Sequence, residues 1–376
     1  MDIKTEVRKM KEAAPFMAAS TDEQRKEALL QVKESLLSNA DRIFSANAED
    51  LKAAEEGGIS PAIIKRLKFD EHKLDDCVKG IDQLISLPDP LGKVTLARQL
   101  DEGLNLYRIT CPIGVIGVIF EARPDALVQI SSLCIRSGNC AVLKGGKETA
   151  STNRVLFSLI HDAAADSGLP SECLLQAEQH NEISELLECH GLVDLLIPRG
   201  SNSFVQYIMD NTKIPVMGHA DGICHTYVDA ECDIEKAVRI IIDAKTQYTA
   251  ACNATETLLI NRAIAPVILP RLSDALSEAH VRLHVTGEVK AILDQARQSG
   301  ERDDVTEIAD DDFAHEFLDL ILAVKLVDDV MEAIAHINRY GSHHTDSIIS
   351  DNEDNIKKFM QLVDSADVYA NCSTRF

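Results

Sequence analysis

The stretch that decides the fold is IGVIGVIF (residues 113–120), followed by ALVQISSLCI (126–135), CAVL (140–143) and KGGK (144–147). The two short apolar runs predict buried strands, and the segment between them predicts a helix that ends near Ser137-Gly138. The same alternation of strand and helix continues to about residue 219 and resumes after Asp233. It predicts an α/β protein with two doubly wound parallel sheets, each covered by helices on both faces.

The segments before residue 113 follow other patterns. Residues 1–90 have helical spacing of apolar residues, with a capping box at Thr21-Asp22-Glu23-Gln24. In residues 94–112, apolar residues follow a turn at Asp101-Glu102-Gly103, which predicts a β-hairpin. An isolated hairpin needs a partner to pair with. A second subunit is one such partner.

Composition excludes several classes of function. The chain has 376 residues, enough for two or three domains, and its formal net charge is −23. That charge argues against nucleic acid as a partner, and it means that an anionic ligand needs a local basic pocket. The N-terminus lacks an apolar signal core and the sequence lacks a membrane-spanning run, so a cytoplasmic location is expected. None of the ten cysteines forms a C-x-x-C pair.

Two turns at predicted strand ends are candidates for binding a nucleotide. Lys144-Gly145-Gly146-Lys147 combines two cations with glycines that permit close approach of the backbone. Pro198-Arg199-Gly200-Ser201 precedes the start of a helix, where backbone N–H groups attract phosphate. Neither turn is the G-x-G-x-x-G fingerprint, and a glycine turn with solvated lysines is the alternative. Ligands of parallel sheets bind at the carboxyl ends of the strands, where both turns are predicted to lie.

Cys252 is the candidate nucleophile. It lies in TAACNATETLLI (residues 249–260), where small residues leave the thiol open to an electrophile just before a predicted strand. Attack on an activated acyl group gives a thioester, which a hydride donor can reduce to an aldehyde. This position predicts that Cys252 lies at the mouth of the second domain, across a cleft from the first.

A series of motifs in the same order gives the chain a family resemblance. They are PIGVIGVIFEARPD (112–125), VLKGGKE (142–148), LLIPRG (195–200), CHTYVDAECD (224–233), ACNATETLL (251–259), EFLDLILAVK (316–325), HINRYGSHHTDSII (336–349) and VYANCSTRF (368–376). The chain resembles the γ-glutamyl phosphate reductase family of the aldehyde dehydrogenase superfamily. The resemblance covers the chain from about residue 5.

The resemblance implies a reaction in proline biosynthesis. L-Glutamyl 5-phosphate and NADPH give L-glutamate 5-semialdehyde, NADP⁺ and phosphate, by way of a cysteine thioester. On chemical grounds, the backbone N–H of Cys252 and the side chain of Asn253 are candidate oxyanion donors. Residues 120–123 lie where the superfamily has its oxyanion asparagine. The resemblance itself assigns the nucleophile to Cys252. It assigns cofactor binding to Lys144, Gly145, Gly146, Lys147, Arg199, Gly200, Ser201 and Glu316, the last at the nicotinamide ribose. The two lysines favour NADPH over NADH, because they can neutralise a 2′-phosphate.

The substrate carries anionic groups, for which the resemblance offers several ligands. They are Arg123, Lys245, Ser373, Thr374 and Arg375. Arginine suits a bidentate grip on carboxylate or phosphate. Hydrolytic aldehyde dehydrogenases carry a glutamate base in the region that here contains residues 217–222, and this stretch has no glutamate. A reductase that releases phosphate has no use for such a base.

The resemblance also implies the domain organisation. The cofactor-binding domain comprises residues 1–93 and 113–226, the oligomerisation hairpin residues 94–112 and the catalytic domain residues 227–376. The family continues beyond the position of Phe376, so a truncated chain is expected to dimerise weakly and to have a disordered substrate loop and reduced activity. A homodimer or higher homo-oligomer is expected otherwise. Functional coupling to glutamate 5-kinase is a further implication.

Two other functions remain as alternatives. An acyl-CoA-reducing relative would share the thiol and the cofactor but use a thioester substrate. A non-catalytic module with the same fold is the second alternative. We expect no metal site, because His343 and His344 are typical of turn histidines and the reaction needs no metal.

Overall fold

The computed structural model describes residues 2–59, 61–179, 181–218, 221–296, 304–309 and 313–375. The chain divides into two compact units, Met1–Ala220 and Asp221–Phe376. Each unit is an α/β structure built on a parallel sheet. The sequence predicts both sheets, and both are confirmed.

The first unit begins with a layer of helices. These are α1 (Ile3–Ala18), α2 (Asp22–Ser38), α3 (Ala40–Glu56), α4 (Pro61–Leu67) and α5 (Glu71–Ser86). The predicted capping box starts α2, because the Thr21 hydroxyl accepts from the Gln24 amide at 3.1 Å and the Gln24 side chain accepts from the Thr21 amide at 2.9 Å. Helix α1 packs against the sheet of this unit. The N-terminal helices therefore supply part of the cover that a buried parallel sheet requires.

The sheet of the first unit has the strand order β5-β4-β3-β6. The elements are β3 (Val115–Ile119), α6 (Pro124–Arg136), β4 (Cys140–Lys144), α7 (Ala150–Asp166), β5 (Leu174–Ala177), α8 (Asn181–Leu187), β6 (Leu195–Pro198) and α9 (Asn202–Asp210). All residues of β3 and β4 are buried, which a strand achieves only when both faces of its sheet are covered. This burial explains why the two strands are continuous apolar runs.

An antiparallel hairpin, β1 (Val94–Asp101) and β2 (Leu104–Ile109), forms a separate two-stranded sheet. Gly103, at φ +75°, supplies the left-handed residue of its turn. Most of the hairpin is exposed, including its large apolar side chains. These are Val94, Leu100, Leu104, Leu106, Tyr107 and Ile109.

The second unit holds a seven-stranded sheet in the order β10-β9-β11-β8-β7-β12-β13. Its elements are β7 (Cys224–Val228), α10 (Ile234–Thr246), β8 (Thr255–Asn261), α11 (Ala265–Glu278), β9 (Arg282–Val285), α12 (Gly287–Ala296), β10 (Val305–Glu307), β11 (Ile321–Val327), α13 (Val330–Tyr340), β12 (Thr345–Ile349), α14 (Glu353–Leu362) and β13 (Asp367–Ala370). All of its strand pairs are parallel.

Neighbouring residues of the central strands enter two different cores. Val228 and Leu258 pack with α10 and α11, whereas Tyr227 and Leu259 pack with α13 and α14. Successive side chains of a strand point to opposite faces, so this division shows that the sheet is covered on both sides. The second unit is therefore doubly wound, as the sequence predicts.

The structure differs from the predicted organisation at several points. The division falls at residue 220, whereas the sequence places it after residue 226, because β7 already pairs with β8 and β12 of the second sheet. The predicted alternation up to about residue 219 ends in only an isolated bridge between Leu196 and Val216. Helix α12 and strand β10 were not expected. Among the described residues, no helix combines the length and the apolar character needed to cross a bilayer.

Candidate active site

The two predicted nucleotide-binding turns lie side by side in the first unit. Strands β4 and β6 flank β3, and Ile119 pairs with Lys144 on one side and Pro198 on the other. The Arg199 amide donates to the Ile119 carbonyl at 2.7 Å. The turns that follow β4 and β6 therefore meet at the carboxyl edge of the sheet, where open α/β sheets bind ligands.

A cavity of about 550 Å³ opens at this edge. It is lined by Ile119, Phe120, Glu121, Lys144, Gly145, Gly146, Lys147, Glu148, Glu178, Ile183 and Phe204. Its apolar residues suit a flat heterocycle, and its size is typical of small-molecule sites. All four residues of the first predicted turn lie in the lining.

Both glycines of that turn contact a neighbouring side chain closely, and the buried Asn153 leaves no room for a Cβ at Gly145. A Cβ at Gly145 would lie 2.2 Å from the Asn153 amide nitrogen, and one at Gly146 would lie 2.0 Å from a Glu148 carboxylate oxygen. Lys144 is buried, and its Nζ donates to the Gly145 carbonyl at 2.7 Å. Burial lowers the pKa of the Lys144 ammonium.

The charge of the cavity is mixed. Lys144 and Lys147 face the carboxylates of Glu121, Glu148 and Glu178 in the same lining. The carboxylate of Glu178 is bound by Arg154 outside the lining, at 3.0 and 2.8 Å, and Glu148 accepts from the Ala122 amide at 2.7 Å. The lysines are therefore not the only charges that a phosphate would meet there.

The second turn leads into α9. Arg199, Gly200 and Ser201 are exposed, and Ser201 is the N-cap residue. Its hydroxyl contacts the Ser203 hydroxyl at 3.3 Å and forms no capping bond within the described part of the chain. The first N–H groups of a helix are sites of anion binding when no side chain caps them.

Cys252 lies in the loop between α10 and β8 of the second unit and is partly exposed. Six of the other cysteines are buried: Cys77, Cys134, Cys140, Cys173, Cys189 and Cys224. Cys224 is the informative one, because its thiol donates to the Cys252 carbonyl at 3.2 Å. Burial raises the pKa of the Cys224 thiol well above its usual range. Of these two neighbouring cysteines, only Cys252 is exposed enough for a substrate to reach it.

Gly222 connects the predicted nucleophile with the predicted ribose ligand. A Cβ at Gly222 would lie 2.0 Å from the carbonyl oxygen of Cys252 and 2.7 Å from its Cα, so only glycine permits this approach. The Gly222 amide donates to Glu316 Oε1 at 2.9 Å. Sequence reasoning missed Gly222, since nothing in residues 217–222 distinguishes this glycine from an ordinary turn glycine.

The end of the described chain is hydrogen-bonded to the loop that carries Cys252. The amide of Asn253 donates to the Thr374 carbonyl at 2.9 Å, and the Arg375 guanidinium donates to the Asn253 side-chain oxygen. The Ser373 hydroxyl accepts from the Arg375 amide at 3.1 Å. Arg375 Nε is buried and has no hydrogen-bond partner among the described residues. The structure therefore joins residues 374 and 375 to Asn253, the neighbour of Cys252 in the chain, whereas Ser373 contacts only the Arg375 amide in these bonds.

Two predicted substrate ligands are placed elsewhere. The Thr374 side chain is fully buried, and its hydroxyl lies 3.2 Å from that of Thr255, so it does not face a ligand. Lys245 is also fully buried, and its ammonium donates to Glu256 Oε2 at 2.6 Å. Burial lowers the pKa of Lys245 and raises that of Glu256. Both side chains are withdrawn from solvent, so the geometry does not support them as substrate ligands, and that assignment stays a prediction.

Arg123 belongs to the first unit, where it is exposed and immediately precedes α6. The residue before it, Ala122, has φ +49°, which is uncommon for a residue other than glycine.

The described residues hold no group of three or more His, Cys, Asp and Glu side chains arranged for a metal ion.

Comparison with known proteins gives one consistent result. A profile of the aldehyde dehydrogenase family matches residues 1–298. The γ-glutamyl phosphate reductase of Acetivibrio thermocellus is 49% identical over 367 residues, which cover 98% of this chain and 83% of that protein. That of Pelotomaculum thermopropionicum is 48% identical over 376 residues, covering 100% and 84%.

A solved structure agrees with the sequence relatives. The crystal structure of γ-glutamyl phosphate reductase from Thermotoga maritima superposes with a TM-score of 0.94 at 33% identity, covering 100% of this chain and 89% of that one. The resemblance predicted from the sequence motifs is therefore confirmed. The chain belongs to the aldehyde dehydrogenase family, and within it to the γ-glutamyl phosphate reductases.

Proposed function

We propose that the chain reduces L-glutamyl 5-phosphate to L-glutamate 5-semialdehyde with NADPH. The substrate acylates Cys252 with release of phosphate, and the resulting thioester is then reduced. Membership of the family supports an oxidoreductase of proline biosynthesis that uses a nicotinamide cofactor. The observation that carries the thioester route is the presentation of Cys252. The residue is partly exposed, while Gly222 packs against its backbone and the Cys224 thiol donates to its carbonyl.

The first half of the reaction uses residues of the second unit. The Cys252 thiolate attacks the γ-carbonyl carbon, and the oxyanion receives hydrogen bonds from the Cys252 amide and the Asn253 side chain. The amide nitrogen of Asn253 carries two hydrogens, and the bond to Thr374 uses one of them. Collapse of the tetrahedral adduct breaks the bond to the phosphate oxygen and leaves an acyl thioester. Phosphate departs as a dianion and is a good leaving group.

The second half needs the cofactor. When bound, the nicotinamide supplies a hydride to the acyl carbon, after which the carbon–sulfur bond breaks and the Cys252 thiolate returns. The cavity of the first unit fits the adenosine part, because it pairs apolar walls with a glycine turn that keeps the backbone close. We assign Lys147 to the 2′-phosphate of NADPH and Glu316 to the nicotinamide ribose.

Arg375 is the substrate cation that the geometry favours. Its guanidinium touches Asn253, the residue next to the nucleophile, and its Nε is without a partner among the described residues. Guanidinium groups bind carboxylate and phosphate through two parallel hydrogen bonds. Arg375 would therefore hold an anionic group of the substrate while Asn253 faces the carbonyl.

The exposed apolar hairpin supports an oligomer. Side chains such as Leu104 and Ile109 are more than half exposed, and a two-stranded sheet is marginal in water by itself. We propose that β1 and β2 pair with a second copy of the chain. Because acyl phosphates hydrolyse readily, the substrate must come from a carboxylate kinase such as glutamate 5-kinase acting close by.

The reverse reaction tests this function. Protein, NADP⁺, phosphate and pyrroline-5-carboxylate, the cyclised semialdehyde, are mixed, and the absorbance of reduced nicotinamide is followed. We expect a signal from the wild type and from Cys224→Ala, and its loss in Cys252→Ala. An equal rate in Cys252→Ala would remove the assigned nucleophile. A signal that requires coenzyme A in place of phosphate would favour an acyl-CoA reductase.

A further inference from the structure

Lys245 and Glu256 form an ion pair that the proposed reaction does not use. The side chains are 0% and 1% exposed, and Nζ lies 2.6 Å from Oε2. A buried ion pair contributes little net stability, because desolvation offsets the attraction. An apolar pair of similar volume would fill the same space at no such cost. The pair therefore calls for a role other than stability.

The pair lies at the base of the loop that carries Cys252. Lys245 is in the last turn of α10, and Glu256 is the second residue of β8. Their bond joins the two ends of the ten-residue segment between them, which includes the nucleophile. Charge-assisted hydrogen bonds are short and directional, so this one holds the two ends of the loop at a set distance.

The second oxygen of Glu256 holds another segment. The Leu318 amide donates to Glu256 Oε1 at 3.3 Å. Leu318 has φ +53°, a left-handed conformation that costs energy for a leucine and that persists only when its surroundings impose it. Leu318 lies two residues after Glu316, the proposed ribose ligand.

These contacts close a ring within the second unit. Glu316 accepts from the Gly222 amide, and Gly222 packs on the backbone of Cys252. The Cys252 loop leads back to Glu256 through β8. The segments that carry the proposed nucleophile and the proposed ribose ligand are thus connected twice, once through Gly222 and once through Glu256.

We propose that Glu256, held by Lys245, is a positioning residue whose two carboxylate oxygens set the Cys252 loop and the Glu316 segment relative to each other. This inference rests on the proposed function, because it assumes that Glu316 contacts the cofactor. Glu256 itself touches neither substrate nor cofactor. Its effect on cofactor binding passes through Leu318.

Two double variants separate the role of the Glu256 oxygen that accepts from the Leu318 amide from the role of the charges on Lys245 and Glu256. Lys245→Met with Glu256→Gln removes both charges but keeps a carbonyl oxygen for the Leu318 amide. Lys245→Met with Glu256→Leu removes the charges and the acceptor together. Neither variant leaves an unpaired buried charge, so both avoid the largest penalty of breaking the pair.

The readouts are the dissociation constant of NADP⁺ and the rate of Cys252 alkylation by iodoacetamide. We expect the glutamine variant to bind NADP⁺ within about twofold of the wild type, and the leucine variant to bind it about 5- to 10-fold more weakly, the size expected for an N–H that loses its acceptor. The two variants should alkylate at equal rates. Equal NADP⁺ affinity in both would overturn the positioning role.

Hydrogen exchange at the Leu318 amide of the wild type tests the same bond without a variant. Slow exchange is expected, and exchange at the rate of an unprotected amide would refute the proposal even if the leucine variant does not fold. The failure of the proposed function looks different. In that case the wild type itself would bind no NADP⁺ or would keep full activity without Cys252.

Discussion

Replacing Gly222 with alanine would place a methyl group 2.0 Å from the Cys252 carbonyl oxygen and 2.7 Å from both its carbonyl carbon and its Cα. All three are backbone atoms, so no side-chain rotation relieves the contact. The Cys252 backbone, the Gly222 segment or both must move by about 1 Å. Overpacking of this kind costs ~1–3 kcal/mol of stability. A displacement of that size at a reacting atom lowers kcat by about 100-fold.

The assay compares kcat, the rate of Cys252 alkylation and the thermal midpoint in Gly222→Ala and in a matched control. Gly80 lies within α5, and among the described residues no atom outside its helix comes within 4 Å of an added Cβ. Gly80→Ala should leave kcat unchanged and stabilise the protein by about 0.5–1 kcal/mol, the helix propensity gain. A Gly222→Ala protein with kcat within twofold of the wild type would refute the argument that glycine positions the nucleophile.

Three further predictions concern stability, substrate binding and assembly. Burial lowers the pKa of His336 to about 3 in the folded protein. In the unfolded chain this histidine has a pKa near 6.5, so the unfolded chain takes up the proton at a higher pH than the folded protein does. The free energy of unfolding therefore falls as the pH drops from about 6.5 toward 3. Between pH 7 and pH 5.5 the wild type should lose about 1 kcal/mol more than His336→Phe in urea titrations, and equal losses would count against this origin. Thr374→Val should cost about 1 kcal/mol of stability, because it removes the contact with Thr255, yet change KM by less than about threefold; a large rise in KM would restore Thr374 as a substrate ligand. Leu104→Glu with Leu106→Glu should lower the molar mass measured by light scattering, and an unchanged mass would remove the hairpin from the interface.

Much of the fold follows from local patterns. The run 113–120 is apolar at nearly every position because both faces of β3 are covered, and a strand of that kind is recognisable without its neighbours. The capping box at Thr21 was equally recognisable, since its partners lie three residues apart. Helix α12 and strand β10 were missed, because short elements at the edge of a sheet carry a weak pattern.

The candidate site was predictable only in part. Lys144 ends β4 and Arg199 follows β6, and sequence reasoning could place both strands, so their turns were expected at the same edge of the sheet. Lys245 was not predictable in this way. A lysine in the last turn of a helix is usually exposed, and its burial depends on Glu256, a partner on another element.

The sequence by itself determined the class of the two sheets and the family, because strand and helix periodicities and short motifs depend on residues near one another in the chain. It also singled out Cys252 as the candidate nucleophile. The tertiary structure alone decided which polar groups meet around that cysteine. Gly222 and Glu316 are 94 residues apart, and Glu256 and Leu318 are 62 residues apart. Hydrogen bonds act over about 3 Å, so their partners exist only once the parallel strands have brought distant loops to one edge of the sheet.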